Sequence, residues 1–440
     1  MTTGREFTIF GAGLAGPLMA VFLARAGHRV RLIERRADPR RAGAERGRSI
    51  NLALSTRGID ALRRVGLADG VLAGAIPMPG RMIHAKDGSL SFQRYSKDGT
   101  QAINSVSRSG LNCMMLDAAE REPGVEIVFG RRCVSVDFDR RRAVLVGGAG
   151  EREEVAFQHA IGADGAFSGV RASMQLRDRF DYQQSYLSHG YKELTIPAGE
   201  GGAFRMEKHA LHIWPRGSYM MIALPNPDGS FTCTLFWPFE GPYSFAALKK
   251  AEDVLWFFRV EFPDAVPLIP DLVRDFQENP TASLVTVRCS PWHVGDGAVL
   301  IGDAAHAIVP FYGQGMNASF EDCVRLSEAL ARHPASVERA FEEFGRLRTP
   351  DTDAIARLAQ DNFIEMRDKA ARASFRAGKH AQHALERWLP GLYLSLYEMV
   401  SFTTIPYAQA LRRAQRQRAV VLTALIAAAL LLATMLLSLL

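Results

Sequence analysis

The spacing of apolar residues changes twice within the first forty positions. A short apolar run, "EFTIF", precedes a glycine-rich turn, and a second run, "VRLI", closes the segment. Between the two runs, apolar residues recur at helical spacing at Leu18, Val21, Phe22 and Ala26. Short apolar runs indicate strands, and a period of three to four residues indicates a helix. The pattern therefore predicts strand, turn, helix and strand, the start of an α/β fold.

A β-rich region begins near Ala203. Three strand-like runs, "HALHIWP", "SYMMIALP" and "SFTCTLFWP", are separated by Pro-Arg-Gly and by Pro-Asn-Pro-Asp-Gly, which predict turns. An earlier segment, "RMIHAKDGSLSFQRY", predicts a hairpin around Asp87 and Gly88. With a three-residue loop, this hairpin places Arg81 directly opposite Tyr95 on one face of the sheet.

The last third of the chain returns to an α/β pattern and then becomes helical. After "GAVLIGDAAH" the pattern is helical to about Ala414, with breaks near Pro350, Pro390 and Pro406. Residues 419–440, "AVVLTALIAAALLLATMLLSLL", contain no charged residue, proline or glycine. Because roughly 20 apolar residues at about 1.5 Å each cover a hydrocarbon core, we expect a transmembrane helix here. A buried core helix is the alternative.

An arginine cluster stands directly before this apolar run, at Arg412, Arg413, Arg416 and Arg418. Basic residues beside a span favour the cytoplasmic side. We therefore expect a protein that is anchored to a membrane by its C-terminal helix, with the lipid bilayer as a partner and the preceding domain facing the cytoplasm.

The remaining composition excludes several classes of protein. Without the arginine cluster the formal net charge of +6 falls to about +2, so we expect no nucleic-acid surface, which would need basic residues spread over the fold. The five cysteines are scattered and form no C-x-x-C pair. We therefore expect neither a metal site nor a disulfide framework.

The turn after the first strand carries the pattern G-x-G-x-x-G. Gly11, Gly13 and Gly16 supply the glycines, and Glu34 ends the second strand 18 residues after Gly16. Glycines let the backbone approach a pyrophosphate, helix N-terminal amides receive its charge, and the acid accepts from a ribose hydroxyl. In this strand-to-helix context the motif predicts a dinucleotide site.

Two further strand ends carry an acidic residue beside glycines. In "VLIGDAAHAIVPFYGQGMNASFEDC", Asp303 follows a buried strand, where open α/β sheets bind ligands. Helical spacing resumes near Asn317, so the helix amides around it can stabilise an anionic ring; a capped strand-to-helix junction is the alternative. In "HAIGADGAFSGVR", Asp164 ends another strand, which in isolation fits any strand-to-helix turn.

Together and in this order, the three motifs resemble those of the group A flavoprotein monooxygenases, the single-component aromatic hydroxylases. The ordered set spans residues 11–317 and is far more specific than any one motif. Four more stretches, "GRSINLALSTRG", "RMIHAKDG", "SVSRSGLN" and "DNFIEMRDK", are similar to those of the family members that hydroxylate kynurenine. The resemblance covers nearly the whole chain.

The resemblance implies an α/β fold in which a Rossmann-like FAD-binding domain is interleaved with a β-sheet substrate domain, followed by C-terminal helices and the transmembrane helix. The expected divisions are the FAD-binding domain at 1–75, 101–180 and 286–345, the substrate domain with a β-hairpin at 76–100 and a β-sheet at 181–285, a helical region at 346–417 and the span at 418–440.

The resemblance also implies FAD as cofactor, NADPH as a transient co-substrate and O2 as oxidant. Residues 48–55 are expected beside the isoalloxazine and ribityl groups, with Arg48 and Asn51 anchoring polar edges; a solvated loop cation is the alternative for Arg48. Because no second G-x-G-x-x-G occurs, we expect NADPH at the flavin cleft, with the arginines of the 35–48 loop as candidates for its 2′-phosphate. The expected FAD-binding residues are Gly11, Gly13, Gly16, Glu34, Arg35, Ala53, Arg108, Asp164, Asp303, Gly315, Met316 and Asn317.

The implied reaction is the hydroxylation of L-kynurenine to 3-hydroxy-L-kynurenine in tryptophan catabolism, on the route to pyridine nucleotides. It proceeds through a flavin C4a-hydroperoxide, which decays where water intrudes, so the pocket should be dry and apolar. We expect Gln314, Pro310 and Phe311 at the reacting centre, Gln314 orienting the ring or the hydroperoxide. The expected apolar wall is Leu211, Met220 and Phe236 with the same Pro310 and Phe311, although each alone fits an ordinary core.

The chemistry of an aniline sets the remaining expectations. The amino group of kynurenine already donates electrons to the ring, so we expect no dedicated base, and His306 is expected to be structural. The α-carboxylate needs fixed donors: Arg81 can bind it bidentately and Tyr95 adds a hydroxyl. The resemblance adds Asn362 and Tyr397, and Met366 shares a predicted helix face with Asn362. An exposed Arg81 and a packing role for Tyr397 are the alternatives.

Three other functions remain open at this stage. The nearest is an FAD-dependent hydroxylase of a phenol or a benzoate, which keeps the fold and changes the pocket. The second is a membrane-tethered flavoprotein reductase, which forms no oxygenated product. The third is a non-catalytic membrane scaffold, which would be colourless when purified.

Overall fold

The structure, a computed structural model, describes residues 4–41, 51–96, 98–365 and 393–438. The strands are, in chain order, β1 Glu6–Phe10, β2 Arg29–Glu34, β3 Asn51–Leu54, β4 Ile76–Met78, β5 Gly80–His84, β6 Leu90–Arg94, β7 Ile103–Ser107, β8 Val125–Phe129, β9 Arg131–Asp137, β10 Arg142–Gly147, β11 Arg152–Ala156, β12 His159–Gly162, β13 Asp181–Ile196, β14 Leu211–Pro215, β15 Met220–Pro225, β16 Phe231–Pro238, β17 Ala282–Ser290, β18 His293–Val294 and β19 Ala298–Leu300.

The α-helices surround these strands. They are α1 Ala15–Arg25, α2 Thr56–Arg64, α3 Ala68–Ala73, α4 Arg108–Arg121, α5 Gly169–Met174, α6 Ala251–Glu261, α7 Leu272–Glu278, α8 Asp303–His306, α9 Gly315–Arg332, α10 Val337–Ile364, α11 Leu396–Ser401 and α12 Tyr407–Ser438. Short 3-10 turns lie at Glu200–Gly202, Val266–Leu268 and Pro310–Tyr312.

A six-stranded sheet forms the first layer of the fold. Its order is β18-β19-β12-β1-β2-β8, and all neighbours are parallel except β18 and β19. β1, β12 and β19 are almost wholly buried, which is why they read as continuous apolar runs, as expected for parallel strands covered on both faces. The predicted strand, turn, helix and strand at the start of the chain are confirmed.

A seven-stranded sheet forms the second layer, and a cavity that is described below lies between it and the first sheet. Its order is β17-β13-β16-β15-β14-β5-β6, and the three predicted strands of the meander are its β14, β15 and β16. Alternate residues of β15 point to opposite faces. Met221 and Ala223 pack with α6 and α7 in one apolar cluster, whereas Met220 and Ile222 pack with the other. The second face of this sheet is therefore free to form one wall of a site.

The predicted hairpin forms, but the predicted register is wrong. Arg81 pairs with Gln93, and His84 pairs with Leu90, so the loop has five residues and not three. Tyr95 consequently lies one diagonal step from Arg81 on the same face, a distance that long side chains span. The two side chains still meet, with the Arg81 guanidinium 5.3 Å from the Tyr95 ring centre.

The helical region differs from two expectations. The predicted break near Pro350 is wrong, because α10 continues through this proline. Two kinds of contact stabilise the helix around the proline: buried Arg348 binds acids of α9, and the Thr352 hydroxyl donates to the carbonyls of Arg348 and Thr349 within α10 itself. The predicted break at Pro406 is confirmed, since α12 begins at Tyr407. Pro390 lies outside the described residues.

The predicted transmembrane helix at 418–440 is corrected by the structure. Within the described ranges, no helix has both the length and the apolar character that a bilayer crossing requires. The prediction separated the apolar run from the arginines before it, whereas α12 contains both in one helix, and that helix begins in a packed cluster with Tyr407 and Ala410. The expected membrane anchoring, the bilayer partner and the localisation that followed from them are withdrawn with it.

Candidate active site

The glycine turn after β1 packs tightly against the end of β12. Gly11 has a φ of +104°, and a Cβ there would lie 2.4 Å from the carbonyl oxygen of Ala163. A Cβ on Gly16 would lie 1.9 Å from the carbonyl oxygen of Gly11. At Gly13, by contrast, a Cβ would meet nothing within 4 Å, because this glycine faces a cavity. The turn therefore packs against the protein at Gly11 and Gly16 and faces the cavity at Gly13.

Glu34 stabilises this turn from the end of β2. Its carboxylate accepts from the amide of Ala12 at 2.7 Å and from the Nε of Arg36 at 2.8 Å. Burial alone would raise the pKa of Glu34, but the bonds from Arg36 outweigh it and hold the pKa below its usual value. Glu34 is therefore ionised, and it lies behind the turn and not on the cavity wall.

The cavity between the two sheets has a volume of about 390 Å³. The carboxyl ends of β1, β12 and β19 form one side of it, as expected for a ligand site in an open α/β sheet. Of the predicted residues, its wall contains Gly13, Asn51, Ala53, Arg81, Arg108, Leu211, Met220, Phe236, Asp303, Pro310, Phe311, Gln314, Gly315, Met316, Asn362 and Tyr397.

The residues on the nucleotide side fit FAD. Asp303, at the start of α8, opens onto the cavity, and burial raises its pKa while His306 and Arg108 oppose that rise. The N-terminus of α9, an 18-residue helix, reaches the cavity at Gly315 and Met316. An open glycine turn, an acid and a helix N-terminus suit a pyrophosphate, a hydroxyl-bearing chain and an anionic ring, respectively.

Asn317 connects the start of α9 to β3. Its Oδ1 accepts from the amide of Ser55 at 2.9 Å, and its Nδ2 donates to the carbonyl of Ala53 at 2.9 Å. Asn317 is fully buried and does not reach the cavity wall. It fixes Ala53, which does.

Besides Gly11, Gly16, Glu34 and Asn317, two further predicted FAD-binding residues, Asp164 and Arg35, are not on this wall. Asp164 binds the amides of Gly169 and Val170 at the start of α5, and burial raises its pKa. Its other carboxylate oxygen is buried and has no partner among the described residues. Arg35 is exposed at the end of β2.

Arg81 occupies the opposite end of the cavity. Its guanidinium lies 4.9 Å from the ring centre of Tyr397 and 5.3 Å from that of Tyr95, and the two rings stack at 5.1 Å. In the described part of the chain, no carboxylate lies within ion-pairing distance of Arg81, and Glu365 acts on it electrostatically from farther away. The buried Tyr95 hydroxyl likewise finds no hydrogen-bond partner in the described ranges. Arg81 thus supplies a cation at this end of the cavity, whereas Tyr95 packs on Arg81 and is not among the residues that line the cavity.

Between these two ends the wall is apolar. Phe236 and Phe311 lie 4.8 Å apart, and Phe311 stacks on Phe363 at 4.1 Å. The amide of Asn362 donates to the carbonyl of Phe311 at 2.6 Å. Leu211, Met220 and Pro310 complete the expected wall. A flat, uncharged ring fits here.

Both ends of the Gln314 amide are occupied. Its Oε1 accepts from the Tyr407 hydroxyl at 2.9 Å, and its Nε2 donates to the Ser55 hydroxyl at 3.3 Å. His306 binds Asp322 at 2.5 Å and stacks on Trp292, which is the expected structural arrangement.

Among the cavity residues that sequence reasoning missed are two tyrosines, Tyr191 of β13 and Tyr312. Burial raises the pKa of both hydroxyls, and Tyr312 stacks on Tyr397 at 5.6 Å. The position of Tyr312 directly before the Gly-Gln-Gly turn was the available signal, whereas nothing local distinguishes Tyr191. Met366 and the half of the 35–48 loop at 42–48, which includes Arg48, lie outside the described residues.

Comparison with known proteins agrees with this geometry. The family described as FAD binding domain matches residues 6–340. The chain is similar in fold to a tetrameric 2-methyl-3-hydroxypyridine-5-carboxylic acid oxygenase, with a TM-score of 0.68 and 23% identity over 84% of this chain and 95% of the other. The fold and the site thus define a flavoprotein of the FAD-binding-domain family.

More similar relatives narrow the class. The chain is 51% identical to a kynurenine 3-monooxygenase of Myxococcus xanthus, over 91% of this chain and 86% of the relative. It is 47% identical to a kynurenine 3-monooxygenase of Dictyostelium discoideum, over 92% and 90%. The chain therefore belongs to the kynurenine 3-monooxygenase family, and the predicted class of enzyme, a flavoprotein monooxygenase, is confirmed.

Proposed function

We propose that this protein hydroxylates L-kynurenine to 3-hydroxy-L-kynurenine, with FAD as cofactor and with NADPH and O2 as co-substrates, in tryptophan catabolism. The observation that carries the proposal is Arg81, a cavity-lining cation with no ion pair among the described residues. The opposite end of the same cavity has the features of an FAD site. A ligand that joins an aromatic ring to a carboxylate would span the two.

FAD, when bound, supplies the redox chemistry that takes up reducing equivalents and transfers one oxygen atom from O2. The chain's own residues bind and orient it. We assign the pyrophosphate to the turn at Gly13 and the amides that open α1, and a sugar-chain hydroxyl to Asp303. The amides at Gly315 and Met316 stabilise negative charge on the ring. In the proposed division of the chain, the segments 1–75, 101–180 and 286–345 hold this cofactor.

The substrate occupies the other side of the cavity. Arg81 binds the α-carboxylate in a bidentate arrangement, which charge-assisted bonds favour. The Tyr95 hydroxyl donates to the same carboxylate, and Tyr397 covers the pair. The aniline ring then lies against Phe236 and Phe311, where apolar side chains exclude water. Removal of a proton is not needed to activate an aniline, which agrees with the engagement of His306 by Asp322.

Aerobic turnover with 18O2 tests the proposal. With kynurenine and NADPH, we expect 3-hydroxykynurenine with one labelled oxygen and little hydrogen peroxide. The matched controls are 4-hydroxybenzoate and phenol, which lack the amino-acid head. If one of these is hydroxylated instead, the enzyme is another aromatic hydroxylase. If NADPH is consumed and no labelled product forms with any of them, the proposal fails in favour of a reductase.

A further inference from the structure

The last long helix of the chain reaches the flavin side of the cavity through one side chain. Tyr407, the first residue of α12, is fully buried, and its hydroxyl donates to Gln314 Oε1 at 2.9 Å. The other end of the Gln314 amide is held by Ser55, next to β3. Because a buried amide oxygen without a donor costs about 1–3 kcal/mol, this bond fixes the orientation of Gln314.

Tyr407 is itself held in place by a buried cation. The Arg57 guanidinium lies 3.8 Å from the centre of the Tyr407 ring, and its nitrogen pairs with Glu321 at 3.2 Å. Arg57 also donates to the carbonyl of Val400 in α11 and to that of Ile405, just before α12. Three elements, α2, α9 and the start of α12, therefore hold one hydroxyl at one position.

The hydrogen bond from Tyr407 reaches Gln314 on the side of the cavity where the cofactor would lie. Gln314 stands between Gly313 and Gly315, and all three contribute to the cavity wall at the N-terminus of α9. Because both ends of the Gln314 side chain are hydrogen-bonded, they restrain the turn that carries the amides of Gly315 and Met316. Gly313, whose φ is +66°, gives that turn a conformation that other residues rarely adopt.

We propose that Tyr407 is a positioning residue for the flavin-binding turn at 313–316, so that the C-terminal helix sets the geometry of the cofactor site. This inference rests on the proposed function for its turnover readout, but not for its binding readout. Tyr407 does not line the cavity and acts through Gln314.

The test compares Tyr407→Phe with Tyr219→Phe. The first substitution removes only the hydroxyl and keeps the ring against Arg57. The second removes the hydroxyl of a buried tyrosine whose ring packs in the apolar cluster with α6, on the other face of the sheet from the cavity. For each variant, apoprotein is titrated with FAD by fluorescence, and the hydrogen peroxide formed per NADPH is measured during turnover with kynurenine.

We expect Tyr407→Phe to raise the FAD dissociation constant about fivefold, since a typical buried hydrogen bond corresponds to about that factor, and to raise the peroxide share. Tyr219→Phe should change neither. The double variant with Gln314→Ala should bind FAD no more weakly than Gln314→Ala alone, because both act through one bond.

An FAD dissociation constant within twofold of wild type in Tyr407→Phe would overturn the inference, as would additive effects in the double variant. The FAD titration needs neither kynurenine nor turnover. If wild-type protein fails to hydroxylate kynurenine, the proposed function fails and the titration still decides the role of Tyr407.

Discussion

Replacement of Arg81 by alanine gives the sharpest test of the substrate end of the cavity. The guanidinium lies beside the stacked rings of Tyr95 and Tyr397 and has no ion pair in the described part of the chain. Removing it should therefore leave folding and FAD binding nearly unchanged. What it removes is the counter-charge for a bound carboxylate.

The magnitude follows from the bonds that are lost. A hydrogen bond to a charged group contributes about 1.5–3 kcal/mol, and a bidentate pair supplies two. Allowing for water that enters to solvate the carboxylate, we expect a loss of about 3 kcal/mol, or roughly 100-fold in the dissociation constant. Arg81→Lys keeps the charge without the planar fork and should lose less.

The assay is a titration of the flavin absorbance with two ligands. Kynurenine carries the carboxylate, and kynuramine is the same molecule without it. In wild-type protein we expect kynurenine to bind far more tightly than kynuramine, and in Arg81→Ala we expect the two to bind alike. Equal weakening of both ligands would show that Arg81 shapes the pocket and does not bind the carboxylate, and an unchanged kynurenine affinity would refute the role altogether.

Three further predictions concern the cofactor turn, the buried ion pairs and pH. Gly11→Ala should lower the free energy of unfolding by about 2 kcal/mol or more, since its Cβ meets the carbonyl of Ala163. Gly13→Ala should keep the wild-type free energy of unfolding and lose FAD affinity. Equal urea-unfolding curves for the two variants would contradict this prediction. Arg348→Met should cost about 3–5 kcal/mol in the same assay, because the buried carboxylates of Glu321 and Asp322 lose the cation that they share and keep only Arg57 and His306, respectively; a cost under about 1 kcal/mol would refute the reasoning. Burial lowers the pKa of His212 to about 4, so below about pH 6.5 the unfolded chain binds a proton at this histidine and the folded protein does not. The free energy of unfolding should therefore fall by up to about 1.4 kcal/mol per pH unit from pH 6.5 toward pH 4. Urea unfolding of His212→Asn at several pH values should lack this part of the slope.

The parts of the site that the sequence predicted are those with a local signature. The glycine turn and Asp303 follow apolar strands directly, so a few neighbouring residues determine where they lie. Arg81 and Tyr95 were paired through a hairpin of the wrong register. The predicted contact between the two side chains is nevertheless present. Residues on one face of a hairpin can touch whether they are directly opposite or one diagonal step apart, provided that their side chains are long.

The parts that the sequence did not predict depend on distant contacts. The partner of Gln314 is Tyr407, which no spacing rule connects to it. Arg57 and Arg348 belong to the buried ion network behind the turn, although a lone arginine in a helix usually reads as an exposed residue. The apolar run after residue 418 was misinterpreted for a related reason. The prediction considered this run by itself, whereas in the structure it is part of α12, which also contains the arginines before it.

This buried network gives α9 a fixed position along its own axis. Glu321 pairs with both Arg57 and Arg348, and Asp322 binds Arg348, His306 and the amide of Gly302. Burial alone would raise the pKa of Glu321, but Arg348 and Arg57 outweigh it and keep the carboxylate ionised. A shift of α9 by one residue would leave several of these charges unpaired, at a cost of several kcal/mol, whereas a purely apolar contact would tolerate it far better. Because the N-terminus of α9 forms the flavin side of the cavity, ion pairs one to two turns along the helix determine where its amides stand.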